Sequence, residues 1–439
     1  MASPTVRAEH EHEYAGHRVW CWVGGWVVIV GLGVAWGAAS IADDPLQGVT
    51  AAPVTGHWGS YGDPRLLPAI LLGVAAVVFG PGLARRLSWG SLLIAAGATA
   101  TAWTLALAAS KGWPRVGSPL DGDFDFLPFA SRIESPGEFL RTFVERGPGY
   151  PAHVKGHPPG ATLVFWVIDH LGLTTAGGAA AVMLVAWGIA VVAVLAALDV
   201  VAGRERARQA APFLALAPAA VWAGTSADAL YAAVIAIGVA LVARATVVRG
   251  PQSMALVASG GVALALALQL TYGAVPLLVL PAGLVAARRR FDLVFPAVAA
   301  AAAVTLAFWA VGFWWFDGLA MTRVEYWRGV AADRPWTYYL LAGNPAALAL
   351  AVGPAVAAGL ARVRRADWGR CGLALGGLGA VAIANSSGMS KAEVERIWLP
   401  YVPWILTATA WLAAPRMRVW LAANVTLGLV LEAFLRSKW

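Results

Sequence analysis

The sequence has 439 residues, of which 59% are hydrophobic and 13% charged, with a mean hydropathy of +0.67 and a formal net charge of +8. Ordinary soluble domains carry roughly 25% charged residues, so these values exclude a soluble enzyme and imply an integral membrane protein. The positive excess does not imply nucleic acid as a partner, because the arginines stand in short clusters between apolar runs, where orientation signals belong.

The first 18 residues, MASPTVRAEHEHEYAGHR, are too acidic for a cleaved signal peptide and read as a cytoplasmic tail. His10, His12 and His17 fit a solvated segment better than a metal site. Cys21 and Cys371 both fall at or within apolar runs and supply no disulfide or metal framework. A first span is expected from Val19 to about Ala39, an outer loop to Leu66, a second span ending at Arg85 and Arg86, and a third ending near Ser110. The segment 111–177 is then external.

Within that segment ATLVFWVIDHLGL is too short for a crossing. Were it one, the next span would carry Arg204, Arg206 and Arg208 to the outer face, against the positive-inside tendency. As a helix in the outer interface it leaves those three, Arg244 and Arg249, Arg288 to Arg290, Arg362 to Arg370, and Arg416 with Arg418 all cytoplasmic. The expected fold is an all-α polytopic membrane protein with about 13 transmembrane helices. Residues 19–439 form one transmembrane domain, with extracytoplasmic loops 111–177, 316–344 and 386–397.

The first of these loops opens with Asp121, Asp123 and Asp125, two apart, just beyond a span. Clustered carboxylates repel, which favours a proton on one of them and makes the group a candidate base; a solvated acidic turn is the plainer alternative. The spacing lacks the glycine and distal glutamate of a calcium loop. Ser135, Pro136 and Glu138 then read as a capping box before an amphipathic helix, expected to lie flat on the bilayer on Phe139, Leu140, Phe143 and Val144. In YPAHVKGHPPG, the prolines fix an extended turn that holds His153, Lys155 and His157 together as candidate phosphate donors.

Asp228 heads an apolar run, where an acid is a helix cap or a site wall; Gln269 and Tyr272 mark a hairpin that faces the same side. The segment 313–345 has the aromatic density of an interfacial belt, which also suits sugar binding. Before the penultimate span, Lys391, Glu393, Glu395 and Arg396 are costly at a membrane edge unless paired, solvated or bound. The planar fork of Arg396 suits two phosphate oxygens.

An external acidic loop with interfacial helices and an H-P-P turn, followed by GTSADALYAA and GMSKAEVERIWLPYVP, resembles the membrane glycosyltransferases of the GT-C superfamily. Protein O-mannosyltransferases, aminoarabinose transferases and actinobacterial arabinosyl- and mannosyltransferases are similar. The resemblance implies a polyprenyl-phosphate sugar donor and a glycan, lipid or protein acceptor whose hydroxyl is activated by a first-loop acid. Transfer would invert the anomeric carbon at the outer face of the cell membrane, in envelope synthesis. Mapped here, the base is Asp123, with Asp121 or Asp125 as second choices. Arg396, Lys155, His157, His153 and Lys391 would hold the donor phosphate. Asp228, Glu393, Tyr272 and Gln269 would line the cavity.

Two spans precede the matching loop, and Asp43 and Asp44 occupy the loop after the first, which departs from the simplest pattern. The reading fixes no cofactor: a divalent cation bridging the acidic cluster stays open as an alternative, although the spacing offers no coordination set for it. A secondary transporter or a non-catalytic lipid-binding subunit of an envelope-synthesis complex is the alternative. A transporter would place ionisable groups near mid-membrane and show repeats, and neither pattern is visible.

Overall fold

The computed structural model describes residues 4–42, 50–173, 175–224 and 226–437, with side chains from residue 16 onward in the first helix. Asp43 and Asp44, and the side chains of His10 and His12, lie outside the described residues. The chain is a helical membrane protein. Among the described residues eight helices are long and apolar enough to cross a bilayer: Gly16–Ser40, Pro64–Arg86, Trp89–Lys111, Ala176–Ala202, Asp228–Ala245, Pro251–Leu270, Phe291–Ala310 and Ala414–Phe434. The pair Trp336–Val352 and Pro354–Leu360, bent by 91° at Gly353, makes a ninth if taken as one crossing.

This is fewer than the 13 or so read from hydropathy, for a local reason. Arg204–Ala215 contains Pro212 and is followed by a break and the single turn Ala220–Ala223. The run after Arg396 splits into Val402–Leu406 and a 3-10 turn, and Tyr272–Ala287 and Gly372–Ser386 are apolar but short. Residues 210–223 and 398–412 are almost entirely buried in protein. Irregular backbone at membrane depth is tolerated where protein rather than lipid surrounds it.

Ala176–Ala202 is the central helix, packed between Trp89–Ala108 and Asp228–Ala245, and the latter packs on Pro251–Leu270. Small residues permit the close approach. A methyl group on Gly188 would stand 2.7 Å from the Gly97 carbonyl oxygen of the facing helix.

The two ends of the bundle differ. At one end arginines bind helix-terminal carbonyls: Arg208 donates to Ala84 O (2.6 Å) and Leu87 O (2.9 Å), Arg206 to Ala410 O (2.7 Å), and Arg290 to Val248 O (2.9 Å). Such contacts satisfy the orphan carbonyls of the last turn. At the other end Lys111 pairs with Glu432 (3.0 Å), and His57–Trp58 forms a short antiparallel ladder with Leu435–Arg436. That ladder was not foreseen. The Thr55 N–H donates to Glu395 Oε1 (2.7 Å), which ties the same end to the segment before Arg396.

The helix Pro136–Arg146 forms as expected, with Ser135 Oγ accepting from the Glu138 N–H (3.3 Å). Glu138 does not complete the capping box; its carboxylate takes Arg146 at 3.0 Å. Nor is the apolar face free for lipid. Phe139 and Phe143 are buried against Phe129, Tyr150 and Phe313, with ring centroids 5.5 to 6.0 Å apart in the Phe143–Phe313 and Phe129–Phe139 pairs. The 12-residue helix Pro159–His170 is likewise not among the spanning helices.

Candidate functional site

The polar loops at the second end converge on one buried cluster. Arg396 is 6% exposed and Asp228 3%. Arg396 Nη1 donates to Asp228 Oδ2 at 2.9 Å, and Nη2 lies 3.4 Å from Glu393 Oε2. Asp228 is the first residue of its helix and makes no capping bond, so the helix-cap reading does not hold; its carboxylate is occupied by Arg396 and by the Ser226 hydroxyl (2.6 Å). Arg396 is correspondingly a buried partner rather than a residue reaching for water.

Glu393 stands between two guanidiniums, with Arg334 Nη2 3.8 Å from its other oxygen. Burial alone would raise its pKa, but Arg396 and Arg334 together hold it below the ordinary carboxylate range. Both contacts are longer than the 2.7–2.9 Å of a tight charge-assisted bond. Ala392 and Glu393 have φ of +67° and +58°. Left-handed backbone costs a non-glycine residue roughly 1–2 kcal/mol, and strain of this kind gathers at functional sites.

From the first loop, Asp125 enters the cluster. Its N–H bonds Gly122 O (2.8 Å), a turn that carries Phe126 into the core and directs the Asp125 carboxylate to His153, whose Nδ1–H donates at 2.8 Å. The Asp125 charge is felt at Arg396. Asp121 and Asp123 are exposed and make no ion pair among the described residues. The structure thus brings the third aspartate to the cluster and leaves the first choice, Asp123, on the surface.

His157 donates Nδ1–H to His153 O (2.9 Å), leaving Nε2 as the acceptor nitrogen, and packs against Phe126 and Tyr231 at 5.4 and 5.6 Å. Burial lowers its pKa to about 4, opposed by Asp228. It is therefore a neutral imidazole. The His157-Pro158-Pro159-Gly160 turn now has a physical account: Pro159 begins the helix, and Gly160 lets it approach its neighbour. A Cβ at Gly160 would stand 2.4 Å from the Gln269 carbonyl oxygen.

The remaining expected residues are placed differently. Lys155 binds Glu325 (3.0 Å) on the helix Trp315–Arg328, and that bond holds the Glu325 pKa down. Lys391 is buried, donates to Ala332 O (3.2 Å) and Arg334 O (3.1 Å), and lies over the Trp327 ring. Tyr272 packs edge-on against Trp315. Gln269 is 1% exposed and, among the described residues, neither end of its amide has a hydrogen-bond partner; the Tyr231 hydroxyl is likewise buried without one. Orphaned buried polar groups cost roughly 1–3 kcal/mol each, and such groups beside a charged cluster are suited to a polar ligand.

The expected aromatic segment supplies an open groove of about 690 Å³, lined by Phe316, Val324, Trp327 and Arg328 among others. Arg328 and Lys155 share Glu325, so groove and histidine turn are joined. Sequence reasoning missed Arg334 and Tyr231 as members of the site. Arg334 sits in an unremarkable DRPW loop, and Tyr231 falls in an apolar run, so neither carried a signal. Among the described residues no group of three or more His, Cys, Asp or Glu side chains is arranged to hold a metal ion. No protein-family model matches the chain, and no curated protein or solved structure matches it either.

Proposed function

We propose that the chain is a membrane glycosyltransferase of the GT-C type, moving a sugar from a polyprenyl-phosphate donor to an acceptor hydroxyl with inversion. The observation that carries the reading is the convergence of the Asp125–His153 pair, the neutral His157 and the Asp228–Arg396–Glu393–Arg334 network. They come from four separate segments. A polyprenyl phosphate departs as a stabilised anion, so one base and cationic stabilisation suffice, unlike the paired carboxylates of glycoside hydrolysis.

In this reading Asp125 is the base. Its carboxylate takes the proton of the acceptor hydroxyl while the hydroxyl oxygen attacks the anomeric carbon, and the bond to the phosphate oxygen breaks on the opposite face. His153 orients the carboxylate. Glu393 holds the place of the donor phosphate between two guanidiniums in the resting protein, and its long contacts favour exchange. The groove along Trp315–Arg328 takes the adjoining lipid.

If the broken and short segments complete crossings, about 13 spans result. The arginine-rich end is then cytoplasmic, and the cluster lies at the outer face of the cell membrane. The test uses purified chain in vesicles with radiolabelled polyprenyl-phosphate mannose or arabinose. Label passing to an acceptor supports the reading. Net movement of a solute across the vesicle wall with no transfer would replace it with the transporter alternative.

A further inference from the structure

The arginine-rich end carries a second open groove, of about 630 Å³, that the transfer reading does not use. It is lined by Arg18 and Trp22 from the first helix, by Leu360, and by Arg364, Arg365 and Trp368 from the following loop. The groove lies far from the cluster. Further along the same first helix Gly33 O accepts from the Tyr338 hydroxyl (2.9 Å), and fifteen residues at 1.5 Å each put roughly 22 Å between Arg18 and that contact.

Its three charges are set apart by sharing one concavity, since Arg85, Arg86 and Arg289 at the same end line no groove with them. Arg206, Arg208 and Arg290 are spent on helix carbonyls, whereas the guanidiniums of Arg18, Arg364 and Arg365 make no hydrogen bond or ion pair among the described residues. The acid in the same loop, Asp367, faces Arg370 at 3.8 Å. Three like charges converging on one concave surface repel each other. A single interfacial arginine is explained by snorkelling, but convergence favours a shared anion. Trp22 and Trp368 are exposed by 46% and 58%, at the edges of apolar helices where indoles sit at headgroup level, and Leu360 gives the groove an apolar wall.

We propose that this groove binds the headgroup of an anionic phospholipid, its phosphate on the three guanidiniums and its glycerol level against the two indoles. Basic pockets between helices on the cytoplasmic side suit such headgroups. The inference is independent of sugar transfer.

Purified full chain in neutral detergent is titrated with phosphatidylglycerol, phosphatidylcholine or sodium phosphate. Thermal midpoint and, by native mass spectrometry, retained lipid are read. Phosphatidylglycerol is expected to stay bound and raise the midpoint, with the other two ineffective. The triple variant R18Q/R364Q/R365Q should lose affinity by on the order of a hundredfold, about fivefold per arginine. The control R85Q/R86Q/R289Q, with equal charge loss at the same end, should not. Equal loss in both variants, equal binding of phosphatidylcholine, or the same stabilisation by free phosphate overturns the proposal. If the triple variant does not fold, R364Q and R365Q are tested singly, and unchanged binding in both has the same force.

Discussion

Arg396 and Asp228, 168 residues apart in sequence, form an ion pair of 2.9 Å in which both side chains are almost completely buried. Removing one member of such a pair strands a charge in a poorly solvated place, at a cost of roughly 3–5 kcal/mol. Replacing both with apolar residues costs less than the sum. Arg396→Met is therefore expected to lower the thermal midpoint strongly, and Arg396→Met with Asp228→Leu to recover part of the loss. Strict additivity in this double-mutant cycle would mean the pair is not coupled.

Gly160 makes the second prediction. A methyl group there meets the Gln269 carbonyl at 2.4 Å, against backbone that cannot turn aside. Overpacking costs roughly 1–3 kcal/mol. Gly160→Ala should destabilise by about that amount and, because Pro159 and His157 move with the helix, reduce transfer further than stability alone explains. Wild-type stability in the alanine variant contradicts the close approach.

Glu395 is fully buried, accepts the Thr55 N–H at 2.7 Å, and has its pKa raised by burial from the ordinary 4.5 to about 7. The folded state thus holds this proton more tightly than the unfolded chain. The stabilising contribution is complete below about pH 4.5 and is lost as pH rises through about 7, a change on the order of 3 kcal/mol. Glu395→Gln keeps the acceptor oxygen and removes the titration. Midpoints measured from pH 5 to 8 should fall for the wild type and stay level for the glutamine variant; parallel curves sink the assignment.

Much of this arrangement was legible in the sequence: the membrane class, the turn at His157, and the meeting of the first loop with Arg396. What was not legible depended on local geometry. Three aspartates at identical spacing in an irregular loop look alike, and only the Gly122–Asp125 turn decides which one faces inward. Asp228 looked like a cap because sequence position cannot reveal a partner 168 residues away. Lys155 looked free for phosphate until Glu325 was found beside it. Hydropathy overcounted long crossings because proline and glycine interrupt runs without making them less apolar, as at Pro212 and Gly353.

Sidedness gives a fourth prediction. In a background lacking Cys21 and Cys371, Asp123→Cys should react with an impermeant maleimide from outside intact cells. Arg365→Cys should react only after the membrane is opened. Labelling of both from one side contradicts the assignment of the two ends.

The central claim is that Asp125, paired with His153 and facing Arg396, activates the acceptor. Initial rates of sugar transfer from a polyprenyl-phosphate donor in membranes test it most directly, with Asp121→Asn, Asp123→Asn and Asp125→Asn compared at matched expression and thermal midpoint. Loss of a general base typically costs about 10²–10⁴-fold in rate. The account predicts such a loss for Asp125→Asn alone, with the two surface variants within about twofold of wild type. Full activity in Asp125→Asn, or a comparable loss in Asp123→Asn at unchanged stability, contradicts it.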